Sequence, residues 1–211
     1  MTKQNSKKLL IEALVYVVMT IVLGLITDLM LLDNFETPIV LGLQGLLKGS
    51  LGIQFFFLIT YIGDFYFWIA FAIIYFIYSF SKSRKNFSSA VELVVFLVIT
   101  TAMTYMIKGA FNRPRPYQHS LDVVPYVIED SSSYPSGHVS RALGALLILS
   151  NRSKVSRYLA YIGVLLLALS RIILGVHYPT DTIGAIFLSL AAWKLSNYMI
   201  HLLISHGLIA Q

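Results

Sequence analysis

The 211-residue sequence contains no cysteine, which excludes disulfides, thiolate metal sites and cysteine nucleophiles at once. Charge is scarce too. Only 12% of residues are charged and 57% are hydrophobic, whereas soluble domains run at about a quarter and about a half. The ten Asp and Glu residues are scattered, so no carboxylate cluster of the kind that holds magnesium or calcium stands out. There is no Gly/Ser linker, low-complexity tract or internal repeat, which leaves a single domain over 1–211 as the expected organisation. The net charge of +6 is split among small separate groups and forms no continuous basic stripe, which argues against nucleic acid as a partner.

What the chain has in quantity is long apolar runs. A bilayer core of about 30 Å takes roughly 20 helical residues, and candidate spans fall at about 9–32, 54–80, 90–111, 138–150, 158–175 and 181–204. The expected fold is therefore all-α, a polytopic membrane bundle of six transmembrane helices. The first run is too long for a signal-peptide core and reads as a retained helix. The fourth is short, some 13 apolar residues or about 20 Å of helix; either Asn151 to Arg157 extends it, or its start lies below the membrane surface. Between the first two spans, NFETPIVLGLQGLLKGSLG (34–52) mixes apolar, Gly and polar residues and reads as an interfacial or re-entrant segment.

Orientation follows from Lys and Arg. With six spans, Lys3, Lys7 and Lys8, then Lys82, Arg84 and Lys85, then Arg152, Lys154 and Arg157 share one side, which the positive-inside rule makes cytoplasmic. This predicts a multi-pass protein of the cell membrane with a cytoplasmic N-terminus. The opposite, extracytoplasmic side collects the costly residues: Lys108, Arg115, His138, Arg171, His177 and Asp181.

These arrive in three clusters. In KGAFNRPRP (108–116), Lys108 and Arg115 are two fixed cations near a helix end; they suit a phosphate, and a basic loop touching lipid headgroups is the plainer alternative. In YPSGHVSRA (134–142), a turn leads into a helix whose N-terminal N–H groups favour an anion; Ser136 can also simply cap that helix. His138 suits a general acid beside a phosphate, and Arg141, one turn on, either snorkels or touches a headgroup. In SRIILGVHYPTD (170–181), Gly175 can end one helix and Pro179 can begin the next. That places Asp181 where it can reach back to one ring nitrogen of His177, fixing its tautomer and raising the basicity of the other.

Together the clusters resemble the type 2 phosphatidic acid phosphatase superfamily, whose signature is K-x6-RP, PSGH and SR-x5-H-x3-D. All three parts are complete: Lys108 with Arg115 and Pro116; Pro135, Ser136, Gly137 and His138; and Ser170, Arg171, His177 and Asp181. The resemblance implies that His177 is the nucleophile and Asp181 its orienting partner. His138 would be the acid that later acts as base, with Lys108, Arg115, Ser136, Gly137 and Arg171 cradling the phosphate. It implies a lipid phosphatase working through a phosphohistidine; the scattered acidic residues point to no metal, and the aromatic run between Phe55 and Phe80 reads as packing, so no cofactor is expected. The substrate would be a lipid phosphate within the bilayer, a polyprenyl or dolichyl diphosphate ahead of phosphatidate or phosphatidylglycerol phosphate. Two rivals are a membrane phosphatase of soluble sugar phosphates and an anion transporter. Asp64, inside the second span, is the best feature for transport, against a plain packing hydrogen bond.

Overall fold

A computed structural model of the chain describes residues 3–29, 32–47, 51–82, 84–150 and 153–209; of Lys3, Gln4, Lys82, Arg84 and Lys85 only the backbone is described, and Asn151 and Arg152 lie outside. Every regular element among the described residues is helical. In chain order these are α1 (Lys3–Asp28), α2 (Asp33–Leu47), α3 (Leu51–Thr60), a 3-10 turn (Tyr61–Gly63), α4 (Phe65–Lys82), α5 (Arg84–Phe111), α6 (Pro116–His119), α7 (Gly137–Leu149), α8 (Lys154–Ile173) and α9 (Pro179–Ser205).

The expected second span is broken. Its two halves, Leu51–Gly63 and Phe65–Ser81, meet at 51°. Asp64 is the reason: its backbone is extended, and its Oδ1 accepts the N–H groups of Tyr66 at 2.8 Å and Phe67 at 3.2 Å. It thus caps α4, satisfying donors that a helix start leaves free. The spacing of apolar residues cannot show such a break, because both halves are equally apolar.

Helix length and composition do not confirm six crossings. Among the described residues four helices are long and apolar enough to cross a membrane, and the bent pair adds a fifth if its halves form one span. The remaining candidate, α7, has only 13 residues. It ends at Leu149, and Lys154 to Arg157 belong to α8 rather than extending it. Position explains its length. Val139, Ala142, Leu143, Ala145, Leu147 and Ile148 are all buried, with α5, α8 and α9 packed around them. A helix enclosed by others need not match the bilayer with its own side chains.

Around α7, α9 forms the spine: α1 lies along it, α5 packs beside it, and α4 covers α5. Close approach depends on small residues. A Cβ on Gly144 of α7 would stand 2.2 Å from the Phe96 ring of α5, and the Gly144 N–H donates to Ser189 Oγ of α9 at 2.9 Å. By contrast, Ile11, Leu14, Val15, Val18 and Leu25 of α1 are exposed. That much apolar surface is unsuited to water and suits hydrocarbon.

The start of α1 sits beside the end of α9, where Glu12 pairs with Lys194 at 2.7 Å. The starts of α7 and α9, the end of α8 and the 112–136 loop gather at the other end of the bundle.

Candidate active site

The first turn of α9 carries Asp181, and four groups converge on its carboxylate. Oδ2 accepts the Tyr178 N–H at 2.8 Å and the Ser133 hydroxyl, and lies 3.3 Å from His177 Nδ1. Oδ1 accepts from Arg113 at 2.7 Å. A carboxylate held by a guanidinium can only accept, so Nδ1 carries the hydrogen and the His177 lone pair lies on Nε2. His177 is 1% exposed. Burial pushes its pKa down, and the nearby Arg115 and Arg171 add to this; the Asp181 hydrogen bond opposes but does not cancel it, leaving a value of about 3. The imidazole is therefore neutral and potentially nucleophilic at ordinary pH.

The connection bearing His177 is shaped by Gly175. Its φ is +76°, and a Cβ there would lie 2.5 Å from the Val124 carbonyl oxygen. Both conditions call for glycine.

A second convergence surrounds Glu129, which sequence reasoning did not single out. Its carboxylate pairs with Arg115 at 2.7 Å and with Arg171, and stands 4.0 Å from His138 Nδ1. Burial alone would raise this carboxyl, but Arg171, His177 and Arg115 outweigh it and hold it well below the usual carboxylate range. Tyr117 of α6 fixes the Glu129 backbone, its hydroxyl donating to the Glu129 carbonyl at 3.0 Å. Glu129, His138, Arg171 and Thr60 line a cavity of about 200 Å³. His177 is not among its lining residues; the Glu129 carboxylate fills the place where two guanidiniums and an imidazole meet. No signal in one sequence marks a lone Glu on a loop for this position.

The expected phosphate-binding residues are placed as follows. Arg115 and Arg171 share Glu129, Arg171 also bonding Thr60 Oγ1 at 2.5 Å and Arg115 the Val176 carbonyl at 2.8 Å. Lys108 instead donates to the carbonyls of Ser132 and Ser133. Ser136 stands at the N-cap of α7 without making a capping bond, and its buried hydroxyl has no partner among the described residues, so the capping alternative does not account for it. Gly137 opens α7. Arg141 does not snorkel; it is buried and donates to the Gly63 carbonyl at 3.2 Å.

The 34–52 segment proves to be a structural arm of the site as far as Leu47; residues 48–50 lie outside the described ones. Helix α2 leaves Phe35, Ile39 and Leu46 exposed and turns Asp33, Glu36 and Gln44 inward. Asp33 and Glu36 pair with Arg113 at 2.6 and 2.7 Å, the same Arg113 that holds Asp181. Glu36 also accepts the Thr180 N–H at 2.7 Å, and Gln44 donates to Val124 and Ile173 carbonyls. The signal for this was present: an acidic i, i+3 pair at 33 and 36 in an otherwise apolar segment, and an Arg two residues before Arg115. Nearby carboxylates are thus engaged by arginines, and among the described residues no three His, Asp or Glu side chains form a metal cage.

Comparison with known proteins gives concordant results. The sequence model of the PAP2 superfamily matches residues 89–204. Phosphatidylglycerophosphatase B of Bacillus subtilis is 31% identical over 123 residues, covering 53% of this chain and 58% of that one. Undecaprenyl-diphosphatase of Sulfolobus acidocaldarius is 30% identical over 125 residues, covering 57% and 54%. The chain thus aligns with little more than half the length of these curated relatives. Among solved structures, the transmembrane PAP2 type phosphatidylglycerolphosphate phosphatase of Bacillus subtilis superposes with a TM-score of 0.73 at 24% identity, covering 88% of this chain and 94% of that one. LpxE of Aquifex aeolicus gives 0.66 at 23%, covering 77% and 94%. At these identities the likeness establishes the fold.

Proposed function

The chain belongs to the PAP2 superfamily and is a multi-pass membrane protein, and from these premises we propose that it is a lipid phosphatase that removes the terminal phosphate of a lipid phosphate or diphosphate. The observation that carries this reading is the Glu129 carboxylate lodged between Arg115, Arg171 and His138. An internal anion rests where an oriented imidazole, His177, can be served with a phosphate.

In this mechanism the terminal phosphate replaces Glu129 against the two guanidiniums. The Nε2 lone pair of His177 attacks phosphorus in line; the P–N bond forms as the bond to the leaving oxygen breaks, and that oxygen takes a proton from His138. Water then attacks the phosphohistidine, giving a proton to His138, and the P–N bond breaks to release inorganic phosphate and restore both imidazoles. Asp181 balances the charge that His177 acquires. Phosphoryl transfer spreads charge over the equatorial oxygens, so Arg115, Arg171, Lys108 and the N–H groups at the start of α7 supply positioning and electrostatic stabilisation. With the Ser136 hydroxyl unengaged, it is free to donate to the same oxygens. No step needs a metal ion, and activity is expected to survive EDTA. Loss of turnover in EDTA with recovery on adding magnesium would reassign the roles.

The positive-inside distribution supports a site on the extracytoplasmic face. The assay that tests the function is phosphate release by the detergent-purified full chain from polyprenyl diphosphate, phosphatidylglycerol phosphate, phosphatidate and a water-soluble sugar phosphate. Turnover of lipid substrates well above the sugar phosphate is expected. Equal turnover regardless of a lipid tail, or none on any lipid, would sink the reading.

A further inference from the structure

Arg141 is a buried cation with too few partners. It is 7% exposed; among the described residues its Nε has no hydrogen-bond partner and its guanidinium makes one bond, to the Gly63 carbonyl at 3.2 Å, with the Phe65 ring 5.6 Å away. Arg113, Arg115 and Arg171 each hold at least one carboxylate. Among the described residues no carboxylate lies within ion-pair distance of Arg141. Burying an unpaired guanidinium is costly, so its place needs a function.

Its surroundings suggest one. Arg141 closes the head of an apolar groove of about 380 Å³ between α4 and α5, walled by Phe65, Trp68, Leu97 and Val98. A second apolar cavity of about 380 Å³ shares Ile69, Leu97 and Val98 and continues along the same helices to Phe76 and Ile77. From Phe65 to Ile77 the helix rises about 18 Å, a length suited to a hydrocarbon chain. At the other side of Arg141 lies the reacting site. His138 precedes it by three residues, with Cβ atoms about 5–6 Å apart on one helix face. Gly63, which bonds Arg141, also packs on His138: a Cβ at Gly63 would stand 2.6 Å from the His138 Cβ.

We propose that Arg141 is a specificity-determining residue that holds a second phosphate, on the tail side of the scissile one, and that the hydrocarbon of the same lipid lies in the α4–α5 groove. This rests on the lipid phosphatase reading above and narrows its substrate to a lipid diphosphate. Phosphatidate has a neutral ester at that point and leaves Arg141 unpaired. Phosphatidylglycerol phosphate has a second phosphate, but a glycerol separates it from the first, and the single helical turn between His138 and Arg141 fits adjacent phosphates better.

The test compares the full chain with Arg141→Gln and Arg141→Lys on prenyl diphosphate, the matching prenyl monophosphate, phosphatidylglycerol phosphate and phosphatidate. Loss of a charge-assisted contact of this kind corresponds to about 10- to 100-fold. The kcat/KM ratio of prenyl diphosphate to monophosphate is expected to fall by that amount in Arg141→Gln and to recover in part in Arg141→Lys. A larger fall for phosphatidylglycerol phosphate against phosphatidate would assign the residue to the phosphodiester instead and overturn the diphosphate assignment. Equal losses on all four lipids would make Arg141 structural and overturn the proposal. Inhibition by a prenyl bisphosphonate against a prenyl monophosphonate gives a binding readout independent of turnover, with the same expected change in ratio. If the unaltered chain hydrolyses no lipid phosphate, the lipid phosphatase reading falls; if it does so and the ratios stay fixed, only the role of Arg141 falls.

Discussion

His177 and Asp181 were legible in the sequence because the chemistry lies in spacing: four residues across a helix start place a carboxylate beside an imidazole. Glu129 was not, because its significance comes from Arg115 and Arg171, which reach it from other segments. If Glu129 occupies the anion site, Glu129→Gln should bind orthovanadate about 10-fold more tightly, the competing charge being removed; weaker binding in an inhibition assay would show that Glu129 supports the cradle rather than fills it. The depressed pKa of His177 has a consequence for stability. Between its folded value of about 3 and the ordinary histidine value of about 6.5, the unfolded chain binds a proton that the folded one does not. The neutral, buried His177 therefore contributes stability that is fully present above about pH 6.5 and is lost as pH falls through this window. Thermal melts from pH 7 to 4 should show a decline that is shallower in His177→Asn.

At the scale of elements, the long apolar helices are plain from hydropathy, while what holds α2 and α7 in place is not. The mixture of apolar, Gly and polar residues in 34–52 points to an interfacial or re-entrant segment, and Asp33 and Glu36 fix its place by pairing with Arg113. Removing one partner of a buried ion pair leaves an uncompensated charge, at a cost of about 3–5 kcal/mol. Arg113→Met should therefore lower the melting temperature and, by freeing Asp181, the activity; restored stability without restored activity in a triple variant that also carries Asp33→Asn and Glu36→Gln would separate the two effects. Helix α7 looked too short for a span because enclosure by α5, α8 and α9 cannot be seen along the chain. Gly144 packs directly against the Phe96 ring of α5. Gly144→Val should destabilise by about 1–3 kcal/mol through overpacking, measured as a lower melting temperature in detergent; an unchanged value would mean the helices can separate there at no cost.

For the molecule as a whole, charge distribution set the expected orientation, and the fold puts the candidate site at the end of the bundle away from the start of α1. The absence of cysteine makes this testable without background. Leu121, on the loop between α6 and α7, is fully exposed at 102%. Leu121→Cys should react with a membrane-impermeant maleimide on intact cells and Lys8→Cys only after lysis; the reverse pattern would place the site on the cytoplasmic face.

The central claim is that His177 takes the phosphoryl group from a lipid. It is tested most directly by mixing the enzyme with lipid diphosphate carrying ³²P in the terminal phosphate, quenching within one turnover and mapping the labelled residue. An acid-labile phosphoramidate on His177, absent in His177→Asn along with phosphate release, is the result expected. Phosphate release that persists in His177→Asn, or label on any other residue, would contradict it.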